Sequence, residues 1–290
     1  MQRSGFGSAV NELSQLLSQA LVVPFLRRPR RRRWAGGRAS GAQAPARGRH
    51  GPLVLVAGTA PDEVVVELIH RAGGRRARAA VVAAASFASV PAGERYRRYL
   101  ARFGMEQVAT VDLSTRLRAD RPDPALEAAD LVVVGGANPE LLVARLADTA
   151  ALRGLLAAWS RGAVLAFLGA AAEAAGAWWL APPGEDPPLR PGLGLLPGTC
   201  VATDAPIAHL VATALATGVQ AVALDAGSAV VVGADGRAQV RAGAVLAVGG
   251  TPGGGAERPP LGGVYARVAP AGWYLDLAAR RVLPPGATGA

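Results

Sequence analysis

The chain contains no lysine: all 31 basic side chains are arginine. Both residues suit a solvated surface, so this bias assigns no function. Cysteine is nearly absent as well, with Cys200 alone, which excludes an intrachain disulfide and a cysteine-based metal site and fits a reducing, cytoplasmic compartment. Three histidines, His50, His70 and His209, are scattered without metal-ligand spacing, so neither a metal nor another cofactor is expected. No apolar run reaches the about 18 residues of a membrane-spanning helix. The apolar segment 21–26 precedes its arginines, the reverse of a secretory leader. Acidic residues are missing from the start of the chain, where ten arginines face Glu12 alone, so residues 1–50 carry 10 − 1 = +9 of the +10 net charge. The remainder is nearly neutral, which argues against a nucleic-acid-binding face on the folded part.

What is present is ample core material. Hydrophobic residues make up 51% of the 290 and charged ones 18%, which excludes wholesale disorder. Residues 11–26 place Leu13, Leu16, Leu17, Ala20 and Leu21 on one helical face, and Pro24 would end that helix. Arg27, Arg28, Arg30, Arg31, Arg32 and Arg33 follow, then a Gly/Ala/Arg-rich linker to about residue 50. Two readings of this arm stand side by side. One is an amphipathic anchor for an anionic surface or partner protein; the other is a disordered tail.

From residue 53 short β-branched runs alternate with helical stretches. The pattern predicts strands over 53–57, 79–84, 107–113, 131–134 and 164–167, with helices near 62–72, 92–103, 124–129, 139–147 and 149–160. Such alternation implies right-handed crossovers and a parallel sheet covered on both faces, with six or more parallel strands. A helix over 205–217 and strands over 221–224, 229–232, 244–248, 265–268 and 273–276 read as an antiparallel extension of that sheet. One α/β unit over 51–283 follows, with residues 284–290 as a disordered end.

Several ordered blocks are similar to the cyanophycinase family of serine exopeptidases. They are Val56–Asp62 (VAGTAPD), Ala72-Gly73-Gly74, Ser86 after its strand, Tyr96–Gly104 (YRRYLARFG), and the run containing Arg116, Ala119, Gly135, Gly136 and Asn138. The resemblance implies a three-layer α/β sandwich of the class I glutamine amidotransferase type, with ligand contacts at Gly135, Gly136, Asn138, Gly169 and Ala170 and a tendency to form homodimers. Its serine sits in a strand-to-helix elbow that lifts the hydroxyl out of the sheet. Here the matching run is Phe167-Leu168-Gly169-Ala170-Ala171-Ala172, so glycine takes the serine's place, and Phe167 and Leu168 are expected to crowd the pocket. The general-base block lacks its histidine, His209 arriving several residues late inside a helix. The acid position falls on Ala226, with Asp225 beside it as a turn residue.

Three separated losses imply a non-hydrolytic relative that binds a peptide-like ligand or a partner protein, since a triad works only with all its roles in reach. Two alternatives remain: an active peptidase acting on cyanophycin or aspartyl peptides through displaced His209 or Cys200, and a scaffolding protein docked through its basic arm.

Overall fold

The computed structural model describes residues 50–250 and 264–287. The arm expected over 1–50, its helix at 11–26 and its arginine run lie outside these residues except for His50. The elements, in chain order, are β1 (Leu53–Val56), α1 (Asp62–Arg71), β2 (Arg78–Ala85), α2 (Ser89–Arg102), β3 (Gln107–Val111), α3 (Arg116–Ala119), α4 (Pro124–Glu127) and β4 (Leu131–Gly136). Then come α5 (Pro139–Leu146), α6 (Ala150–Ser160), β5 (Val164–Leu168), α7 (Ala171–Ala174), β6 (Gly176–Leu180), β7 (Leu189–Pro191), β8 (Leu196–Thr203) and α8 (Ile207–Thr217). The chain continues through β9 (Gln220–Leu224), β10 (Ala229–Val232), β11 (Arg237–Ala242), β12 (Ala244–Gly250), β13 (Val264–Pro270), β14 (Tyr274–Asp276) and β15 (Arg281–Leu283).

Among the described residues these strands form two mixed sheets. The larger has nine strands in the order β15-β14-β11-β10-β1-β5-β4-β2-β3, in which β1, β5, β4, β2 and β3 are mutually parallel. The strands β10, β11, β14 and β15 extend it antiparallel from β1 outward. The smaller runs β13-β12-β9-β8-β6-β7, with β6, β8 and β9 parallel.

This α/β architecture corrects the expectation in two respects. The main sheet has five parallel strands where six or more were expected. The strands at 221–224, 244–248 and 265–268, read as extending that sheet, belong to the second one. The reason is β6 to β8: the Pro- and Gly-rich stretch 181–198 masks two of these strands, yet β8 provides the parallel partner that draws β9 away from β10.

Strand alternation distributes the core. In β1, Leu53 and Leu55 face one cluster, shared with α4 to α7 and with Val201, Val222, Leu224 and Val245 of the second sheet, while Val54 and Val56 face the cluster under α1 and α2. Both faces of β1, β2, β4 and β5 are therefore dry, which is why they read as continuous apolar runs, whereas the edge strand β3 is largely exposed. The far face of the second sheet buries Cys200, Ala202, Ala221 and Ala223 against Leu210 and Ala214 of α8. Among the described residues no helix is long and apolar enough to cross a membrane.

Candidate functional site

The strand β5 lies between β1 and β4 in the parallel part of the sheet, and the chain leaves its carboxyl end through a tight turn. Gly169 forms that turn with φ +69°, its amide donating to the Val56 carbonyl at 2.9 Å, and the Ala172 amide returns to the Gly169 carbonyl at 3.0 Å to open α7. A left-handed residue between strand and helix is the geometry that presents a nucleophile in hydrolases of this general type, but glycine presents nothing. A Cβ built on Gly169 would meet the Gly136 carbonyl oxygen at 3.3 Å, a tight contact, and the left-handed backbone would strain any other residue there.

Around the elbow lies a cavity of about 540 Å³ lined by Gly58, Thr59, Ala60, Ser86, Ala92, Arg95, Tyr96, Tyr99, Gly136, Ala137, Leu168, Gly169 and Ala170. It sits beyond the carboxyl ends of β1, β2, β4 and β5, where open parallel sheets bind their ligands. Of the five expected contact residues, Gly136, Gly169 and Ala170 line it. Gly135 lies one step inside: a side chain there would collide with the Tyr96 ring, so glycine makes room for the cavity's wall. Asn138 does not line it. Its Oδ1 accepts from the Leu141 amide at 2.8 Å and caps α5. Leu168 reaches the cavity as expected, but Phe167 does not crowd it, because alternation along β5 buries that ring on the opposite face.

The sequence reading missed the α2 wall. Ala92, Tyr96 and Tyr99 stand at i, i+4 and i+7, the spacing of one helical face. Tyr96 lies against Gly135, and its burial holds the phenol proton above the usual tyrosine range. Tyr99 donates to the Ala60 carbonyl at 3.1 Å. The same spacing describes a helix buried on a plain core, which is why the pattern alone gave no signal.

The residues expected from the resemblance near a base and an acid lie away from the elbow or carry no such group. The turn carrying Asp225 and Ala226 abuts the Gly58 loop through the Gly227 amide to the Ala57 carbonyl (2.9 Å) and the Ala57 amide to the Ser228 carbonyl (3.0 Å). Asp225 is exposed, its carboxyl pushed up by partial burial and by the charge of Asp204. His209 lies on α8 with Nε2 2.8 Å from the Ala181 carbonyl oxygen, and it does not line the cavity. Cys200 is 1% exposed on the α8 side of β8, and desolvation drives its thiol pKa far up, the opposite of an activated nucleophile. Beside the elbow, Glu173 of α7 accepts from Thr203 Oγ1 (2.5 Å) and from the Thr203 amide (3.2 Å). Its burial, reinforced by Asp204, raises its pKa. Among the described residues no group of three or more His, Cys, Asp or Glu side chains is placed to hold a metal ion.

No family model and no curated protein matches this chain. Among solved structures it is similar to a peptidase from an acI-B1 actinobacterium, at 20% identity over 79% of this chain and 98% of that one, with a TM-score of 0.62. A protein assigned to peptidase E from Listeria monocytogenes EGD-e aligns at 16% identity over 63% of this chain and 94% of that one, with a TM-score of 0.43. At such identities the likeness is one of fold: the chain has a peptidase-type α/β fold.

Proposed function

We propose that this protein binds a peptide-like ligand in the elbow cavity without hydrolysing it. One observation carries the reading: the elbow keeps its left-handed turn and its open cavity, while its apex, Gly169, has no side chain and no histidine or carboxylate lines the cavity. Nucleophilic catalysis needs a hydroxyl or thiol within hydrogen-bond reach of a base. The hydroxyls at hand, those of Thr59, Ser86, Tyr96 and Tyr99, have no such partner among the lining residues. Binding requires less. Ala170, next after the elbow, lines a concave, largely apolar space, and its amide has no backbone acceptor among the described residues. The lone buried cysteine accords with a cytoplasmic setting for this role.

The test is incubation with a β-aspartyl-arginine polymer and with a panel of short peptides, reading product release by mass spectrometry. The intact protein should release none. Gly169→Ser should fold, losing about 1 kcal/mol to the left-handed backbone, and should remain inactive for want of a base. Wild-type turnover that disappears in Cys200→Ala or His209→Ala would overturn the proposal in favour of displaced catalytic residues.

A further inference from the structure

The cavity has a polarity that follows from its walls. Of its thirteen lining residues Arg95 alone carries a charge. Among the described residues Arg95 makes no ion pair, and the acid beside it on α2, Glu94, is engaged by Arg97 at 2.8 Å. The carboxylate that bears on the cavity wall, Asp62, acts on Tyr99. A guanidinium at the edge of an apolar site, with no carboxylate of its own, favours an anion there and disfavours a cation, and its planar fork matches a carboxylate in particular. The remaining surface is apolar or aromatic: Ala60, Ala92, Leu168 and the two tyrosine rings. Just after Ser86, which lines the cavity, Phe87 is 82% exposed, and Val90 on the first turn of α2 is exposed as well. Exposed aromatic and branched side chains beside a concave site mark a place where apolar groups dock.

We infer that the ligand is a short peptide-like acid with an apolar side chain, whose free carboxylate pairs with Arg95 while its body lies against Tyr96, Tyr99 and Leu168. This rests on the reading of the elbow cavity as a non-hydrolytic peptide site and assigns that site its chemistry. The glycine floor of Gly58, Gly136 and Gly169 lets a peptide backbone approach closely. A peptide with a basic side chain would bring a second cation to Arg95 with nothing to neutralise it.

The experiment is calorimetric titration of the full chain with three probes: N-acetyl-alanyl-phenylalanine as the free acid, the same compound as its amide, and N-acetyl-alanyl-arginine amide. The free acid should bind best. Loss of its carboxylate should weaken binding about tenfold, the scale of one charge-assisted hydrogen-bonded pair at a partly exposed site. Arg95→Gln should erase the difference between acid and amide, with an unchanged melting temperature showing that the fold is intact. Arg98→Gln, on an exposed residue one turn along α2, should keep the difference and so exclude a general effect of net charge. Binding of acid and amide with equal affinity, or an acid preference that survives Arg95→Gln, overturns this inference and leaves the peptide site standing. Failure of all three probes to bind overturns the peptide site and this inference with it.

Discussion

At the scale of single residues, the site is shaped by what neighbouring groups exclude or force. Gly135 leaves the space that Tyr96 fills, so one missing Cβ on β4 makes room for a ring on α2. Glu173 shows the converse, a carboxylate the fold tolerates at a cost. Its pKa is raised mainly by burial and further by Asp204, and its charge also bears on Cys200. A carboxyl whose folded pKa exceeds its unfolded value binds more protons in the native state, so stability falls as pH rises from the unfolded value, about 4.3, through the raised folded one. Glu173→Gln keeps an acceptor for Thr203 and removes that titration. The variant should match the wild type near pH 4 and exceed it in melting temperature near pH 7. A variant less stable than the wild type at neutral pH would show that the carboxylate's bonds to Thr203 outweigh its desolvation.

At the scale of elements, side-chain hydrogen bonds close the starts of several helices. Asn138 at the start of α5, Thr149 at α6 and Asp123 at α4 each accept from an amide two or three residues on. Asn138→Ala should therefore cost about 1 kcal/mol in chemical denaturation, and Asn138→Ser should recover most of it because serine also caps. If both variants keep full stability, the side chain is free for the ligand role that the sequence resemblance implied. The elements themselves were legible where their patterns were pure. The buried parallel strands β1, β2, β4 and β5 and the helices α1, α5 and α6 fall within a few residues of their expected places. The strands β7 and β8 were hidden because prolines and glycines break up 181–198, and β8 itself opens on Leu196-Pro197-Gly198. The strand β11 alternates Arg237, Gln239 and Arg241 with buried Ala238, Val240 and Ala242, but two of its three inward residues are alanine and give a weak apolar signal, and β15 with three residues is too short to show a period. Gly136, Gly169 and Ala170, to which the sequence resemblance points, line the cavity at the ends of β4 and β5. Arg95, Tyr96 and Tyr99 could not be read from the sequence, since a helix face that lines a cavity has the same spacing as one that lines a core.

At the scale of the whole molecule, charge and chemistry are segregated: the arm carries nearly all of the net charge, while the cavity's single cation sits on α2. We propose that the arm acts by general electrostatics, since its six arginines at 27–33 have Trp34 as their one aromatic neighbour. The place to cut is after residue 49, because His50 stacks on Trp159 at 4.2 Å and Gly51 accepts from the Trp159 indole at 2.7 Å. Deleting residues 1–49 should leave the melting temperature nearly unchanged while abolishing a salt-sensitive adsorption to anionic vesicles. Adsorption that persists in high salt would instead indicate a hydrophobic partner for the 11–26 segment. The central claim, binding at the elbow without hydrolysis, can be read in a single tube by following the glycine amide resonances of the protein and the resonances of N-acetyl-alanyl-phenylalanine together over a day. Shifts concentrated at Gly58, Gly136 and Gly169 beside an unchanged ligand spectrum are the predicted result; the appearance of cleavage products, or shifts that leave those three glycines untouched, would contradict it.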